Sequence, residues 1–194
     1  MRSISLVLFL LLSTLAHATP AAPPDPDASL SGVITDPDRT FSGYVGRKSH
    51  DLISKWLRAN PHRDLTLHLD SGGGRVIYGI KLYDALEAHG HVSTEIDSGK
   101  ACLSACTYVW LSGRIRSLAD RAVLGFHSSF CTVACDIHTV GTGNQSILDI
   151  LARTEPDLAV LISRTGAMIS GNRLMALASR ENGHWAMRTF QPPP

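Results

Sequence analysis

Asp70-Ser71-Gly72-Gly73-Gly74-Arg75-Val76-Ile77-Tyr78-Gly79-Ile80-Lys81-Leu82-Tyr83-Asp84 is the stretch on which the reading of this 194-residue chain turns. Just before it, Asp64 to Asp70 alternates Leu65, Leu67 and Leu69 against Thr66 and His68. That is the pattern of a strand with one buried face. Past the glycines, Val76, Ile80, Tyr83 and Leu86 recur at helical spacing, and Gly90 ends the run. The pattern predicts a helix over Val76–Ala88. Between strand and helix lie three glycines, which admit positive φ and close backbone approach. A backbone N–H there can donate to a carbonyl oxygen, or the segment can be a plain tight turn. A phosphate loop is excluded, because G-x-x-x-x-G-K-[ST] is absent.

Downstream lies Gly99-Lys100-Ala101-Cys102-Leu103-Ser104-Ala105-Cys106, and beyond it Gly125-Phe126-His127. A glycine turn, a serine among small residues and a histidine supply the parts of a serine hydrolase: oxyanion donors, nucleophile and general base. Ser104 has a second reading as a helix N-cap, and His127 has one as a structural strand-end residue. The histidines at 50, 62, 68, 89, 91, 138 and 184 are scattered without H-E-x-x-H. No metal site is read, and no cofactor is expected.

The remaining elements agree with an α/β chain. Phe41–Val45 reads as a strand, Ser49–Ala59 as a helix ended by Asn60-Pro61, Val92–Ile96 as a strand, Ser104–Leu111 as an apolar helix and Arg121–Phe126 as a strand. From Gln145 onward the expectation is helix, interrupted near Gly166 and Gly171. Strands alternating with helices imply a mainly parallel sheet, with chemistry at loops beyond the carboxyl ends of strands.

Residues 1–18 carry Arg2, the apolar run Leu6–Leu12 and Ala16-His17-Ala18, a secretory signal peptide pattern, with an uncleaved anchor as the alternative. The apolar run is short for a membrane span. Residues 19–31 read as a flexible Pro/Ala-rich leader and 32–190 as one domain, placed in the periplasm or secreted. A formal net charge of +1 argues against nucleic acid. The four cysteines come as Cys102/Cys106 and Cys131/Cys135. Outside the cytoplasm such an even count points to disulfides, with a zinc site as competitor. With the first pair on a helix, side chains four apart rarely meet disulfide geometry. Pairing of Cys102 and Cys106 with Cys131 and Cys135 is one reading. Two reduced cysteines plus a local Cys131–Cys135 bridge is the other.

From Phe41 to Ser129 the chain resembles the ClpP/crotonase superfamily, in particular its Clp-protease-like periplasmic or secreted proteins. Asp70–Asp84 is similar to the family pattern S-P-G-G-x-V-x-x-G-x-x-I-Y-D, with Gly72 where proline is usual. Gly99–Ala105 is similar to its serine segment and Gly125–His127 to its histidine strand. The resemblance implies a spiral of β-β-α units. It makes Ser104 the nucleophile, His127 the base, and the Gly74 and Ala105 N–H groups the oxyanion hole. Peptide or unfolded-protein substrates and a homo-oligomer follow from it, and acyl-CoA chemistry is its less fitting branch. The family's third triad member is an Asp on a later segment. Around Thr165–Ala178 no carboxylate occurs, and Asp136, Asp149, Asp157 and Glu181 stand elsewhere. The group that orients His127 is therefore unassigned; an Asn, a main-chain carbonyl or no orienter at all are the alternatives. Some relatives use a Ser-Lys pair, for which Lys100 is the nearby lysine. A ClpP-like scaffold that binds peptides or partner proteins without turnover is the competing function.

Overall fold

The computed structural model describes residues 38–129, 137–169 and 174–191. The signal peptide and leader assigned to 1–31, and Cys131, Cys135 and Asp136, lie outside the described residues. In chain order the elements are β1 (Asp38–Val45), α1 (Arg47–Ala59), β2 (Leu65–Gly74), α2 (Val76–His89), β3 (Val92–Ile96), β4 (Ala101–Leu103), α3 (Cys106–Leu111), β5 (Ile115–Leu118), β6 (Val123–His127), α4 (Ile137–Thr154), α5 (Pro156–Thr165), β7 (Met175–Glu181) and β8 (His184–Phe190).

The sheet is organised around β2. One edge of β2 pairs with β1 along its length. Its other edge is shared: Leu65–His68 pair with β3, and Ser71 pairs with Cys102 of β4. The two branches then grow in parallel, β3 taking β5 and β4 taking β6. Each β-β-α unit, β3-β4-α3 and then β5-β6-α4, thus adds one strand to each branch, which winds the chain into a spiral. All these ladders are parallel, and among the described residues the antiparallel ladders are β6–β7 and β7–β8. The expected mainly parallel α/β spiral with flanking helices is what the chain forms.

Burial follows the strand period. Leu65, Leu67 and Leu69 point inward, while Thr66, His68 and Asp70 stand on the other face. Leu82, Tyr83 and Leu86 of α2 cover the inward face, and Gly90, at φ 74, closes the helix in the left-handed region that glycine favours. Trp110 is buried and donates its indole N–H to Ser117 O at 3.2 Å. The half-buried Arg116–Glu155 ion pair, with a second bond from Arg116 to Thr154 O, ties β5 to the α4–α5 junction.

Two sequence expectations fail here. Helix does not continue to the C terminus: Met175–Phe190 is a β-hairpin. Asn182 and Gly183 have φ of 51 and 81, the paired positive values of a type I′ turn. The Asn-Gly dipeptide is the sequence signal for that turn, and Met-Ala-Leu-Ala before it is extended because Ala176 and Ala178 pack inward. The helix expected over Ser104–Leu111 begins only at Cys106, and the short strands β4 and β5 frame it. Strands this short carry too few alternations to register as a pattern.

Leu82 is fully buried between α2 and the sheet. Leu82→Ala is expected to cost about 3 kcal/mol in unfolding free energy, read from urea denaturation with an unchanged m-value.

Candidate active site

β4 delivers Ser104 to its position. Cys102 is held by Ser71, Leu103 pairs with Gly125, and Ser104 N–H donates to Gly125 O at 2.7 Å. The chain then reverses into α3. Ser104 adopts φ 55, a left-handed conformation that costs a non-glycine residue of order 1–3 kcal/mol. Ala105 follows at φ −58, ψ −18 as the N-cap, and no side chain caps α3. Ala105 and not Ser104 is therefore the N-cap, and Ser104 forms a strand-to-helix elbow at positive φ. The Ser104 carbonyl accepts both Thr107 N–H at 2.9 Å and the Thr107 hydroxyl at 2.6 Å. Neither these bonds nor the one to Gly125 uses the Ala105 N–H.

The glycine segment packs on this elbow. Gly73 has φ +99, and a β-carbon there would lie 2.6 Å from Leu103 O, 2.6 Å from the Ser104 Cβ and 3.1 Å from Ala105 N. Gly74 instead packs on β1, where a β-carbon would come within 2.2 Å of Val45 O. Of the three glycines, Gly73 is the one that packs on the serine elbow, while Gly74, which the resemblance makes an oxyanion donor, packs on β1. Three consecutive glycines hold no signal for which of them meets the serine.

His127 ends β6, opposite Met175 of β7. Its Nδ1 is 2.8 Å from the main-chain carbonyl oxygen of Ser128. A carbonyl only accepts, so Nδ1 is the donor in this bond. The Ser128–Ser129 segment is itself fixed. Ser128 N–H donates to Ala167 O at 2.7 Å, and Ser129 N–H to the side-chain oxygen of Asn144 at 2.7 Å. The buried Asn144 amide donates in turn to the Ser128 hydroxyl at 2.9 Å and to Met168 O at 3.2 Å. Sequence reading missed Asn144; one asparagine on a helix carries no signal of its own.

Ser104, Ala105 and His127 line one small cavity of about 20 Å³, walled by Val76, Phe126 and Ile147. That is room for about one water molecule. The Tyr108 hydroxyl, also on this cavity, donates to Gly143 O at 2.8 Å. Lys100 lies elsewhere: its ammonium is exposed and bonded to Asp70 at 2.8 Å, which raises its pKa and keeps it charged. It is therefore unsuited to act as a base. Asp149 is bonded by Gln145, and Glu181 faces Arg188. Neither these two nor the exposed Asp157 lines the cavity.

The cysteine expectation is corrected. Cys102 and Cys106 are bonded to each other, with Cα atoms 5.3 Å apart. Cys102 sits on a strand and not on the helix, and the elbow between them folds the chain back far enough for the sulfurs to meet. Neither a bridge from this pair to Cys131 or Cys135 nor a reduced pair is what forms. Among the described residues His68, Glu95 and Asp97 form a group whose metal-capable atoms lie within 4.8 Å of one another, on the outer face of the sheet. There His68 Nδ1 is already 3.2 Å from an Asp97 carboxylate oxygen. No helix of the described residues is long and apolar enough to cross a membrane.

No protein-family model matches the chain, and no curated protein matches it. Solved structures do. ClpP1 from Listeria monocytogenes is similar with a TM-score of 0.56 and 17% identity, over 66% of this chain and 77% of that one. A point mutant of the same ClpP1 gives the same figures. A mutant of the 1510-N membrane-bound stomatin-specific protease is similar at a TM-score of 0.48 and 14% identity, over 58% of this chain and 60% of that one. The chain has the ClpP-like fold.

Two outcomes check this geometry. Gly73→Ala is expected to destabilise by about 2 kcal/mol or more, against less than about 0.5 kcal/mol for Gly72→Ala, whose β-carbon meets open space. Chemical denaturation measures both. Burial raises the pKa of Tyr108 from 10.0 to about 12. Its stabilising contribution is thus complete below pH 10.0 and lost as pH rises towards 12. Across that interval the wild-type chain should lose about 2–3 kcal/mol relative to Tyr108→Phe.

Proposed function

We propose that this chain is a serine peptidase-like hydrolase of the ClpP type, acting outside the cytoplasm, with Ser104 as nucleophile and His127 as general base. The observation that carries the reading is the strained Ser104 elbow, at φ 55, facing the same cavity as an imidazole whose Nδ1–H is committed to a carbonyl. Strain of this kind persists where the surroundings over-determine it, and it concentrates at functional sites.

In the proposed reaction His127 Nε2 takes the Ser104 proton as the hydroxyl oxygen attacks a peptide carbonyl. The imidazolium then protonates the leaving amine, and water hydrolyses the acyl-enzyme by the same route in reverse. The oxyanion that forms is met by the N–H groups of Ala105 and Gly74. Arg75 N–H is given to Val45 O on the β1 side at 2.8 Å and is not a donor to this site. The Ser128 carbonyl, 2.8 Å from His127 Nδ1, helps hold the ring in orientation.

Peptides or unfolded proteins are the substrates this reading assigns, in keeping with the ClpP-like fold, and no cofactor takes part. Assembly with further copies of the chain belongs to the same proposal. Export is supported by the pattern of residues 1–18 and by the Cys102–Cys106 disulfide, a bond that persists in oxidising compartments. The second reading is a ClpP-like scaffold without turnover, in which the contact 2.8 Å from His127 Nδ1 is a neutral main-chain carbonyl that serves only to hold the strand end.

A fluorophosphonate probe on the purified chain separates the two. Covalent labelling is expected at Ser104, abolished by Ser104→Ala and slowed by roughly 100-fold or more by His127→Ala. Casein turnover is expected to follow the same order. Turnover at background, equal in wild type and Ser104→Ala, with no probe bound, supports the scaffold and removes the hydrolase.

A further inference from the structure

We propose that the Cys102–Cys106 disulfide is a positioning device for the nucleophile, and that the oxidised chain is the competent one. The proposal deepens the peptidase reading of Ser104 and rests on it. The bond closes a ring of five residues with Ser104 at its centre: Cys102-Leu103-Ser104-Ala105-Cys106. One end of the ring is fixed in the sheet through Ser71, and the other starts α3. Both cysteines are fully buried, so the ring is anchored from the core side while Ser104 is left half-exposed on the cavity side.

The energetics make such a clamp useful. A non-glycine residue at φ 55 relaxes unless held, and the nearest relaxed state is right-handed helix. Ala105 is already in that state, so α3 has a short path backwards through Ser104. The hydrogen bond from Ser104 N–H to Gly125 O of the neighbouring strand opposes this. The disulfide adds a covalent limit on the separation of the two ends of the ring. It also keeps the Leu103 carbonyl and the Ser104 Cβ against Gly73, so that the glycine segment and the elbow stay in register. With the bond opened, the serine hydroxyl and the Ala105 N–H lose their shared orientation although the rest of the core is unchanged. The site would then be competent in an oxidising compartment and impaired in a reducing one.

The test compares the oxidised full chain, the chain folded in dithiothreitol, and the double variant Cys102→Ala/Cys106→Ala. Reduction transfers two electrons and two protons from dithiothreitol to the disulfide, leaving two thiols and the cyclic disulfide of the reagent. Thiol mapping by mass spectrometry confirms the state of Cys102 and Cys106. Two readouts are taken on each: the rate and concentration dependence of fluorophosphonate labelling at Ser104, and amide hydrogen exchange at Ser104. Opening the bond is expected to slow the labelling step about tenfold, the effect of about 1.36 kcal/mol. The probe concentration for half-maximal rate stays constant, Ser104 amide exchange accelerates, and reoxidation restores both. Labelling and exchange that are the same with and without the bond overturn the proposal and leave the peptidase reading intact. Absence of labelling in the oxidised chain removes the peptidase reading and this proposal's catalytic claim with it, and exchange then decides whether the bond holds the turn. A chain that folds neither reduced nor as the double variant also overturns it, because the bond then serves the whole domain and not the elbow.

Discussion

The close approach of Gly73 to the backbone of Leu103, Ser104 and Ala105 is the constraint on which the site depends. Two turns from different strands meet there with no side chain between them, and any β-carbon would overlap a carbonyl oxygen that the sheet holds in place. Because β2 is shared between the two branches of the sheet, this contact also decides where the second branch starts. Move the elbow and β4 loses Ser71, then β6 loses β4, and His127 leaves the cavity. The site and the spiral are therefore one packing problem.

The chemistry inherits its geometry from that packing. His127 finds a partner in the next residue's own carbonyl, and the position of that carbonyl is fixed from α4 and from the turn after α5, through Asn144 and Ala167. The same cavity is walled by Val76, Phe126 and Ile147 beside the polar groups of Ser104, Thr107 and Ser129, so the ring is held between apolar packing and hydrogen-bonded backbone.

How much of this was legible follows from the range of each signal. β2, α2 and β3 carry long runs of regular period, and the sequence reads them to within a few residues. The strand that ends at His127 is legible for the same reason. β4 and β5 are not, since their three and four residues owe their extension to neighbours in the ladder. The Cys102–Cys106 bond was misread because its feasibility rests on one positive φ at Ser104, which no local pattern announces. The C-terminal hairpin is the opposite case. Asn182-Gly183 announced it, but the helical spacing upstream of it was extended too far.

Among the described residues that hairpin leaves β8 as the last strand of the sheet, paired only with β7. Its outer row of amides and carbonyls offers another extended chain the same ladder that β7 already uses, which is how soluble proteins begin to stack. Arg188 and His184 lie exposed along it and put charge or polarity on that edge. The exposed Phe190 marks where that guard is thinnest.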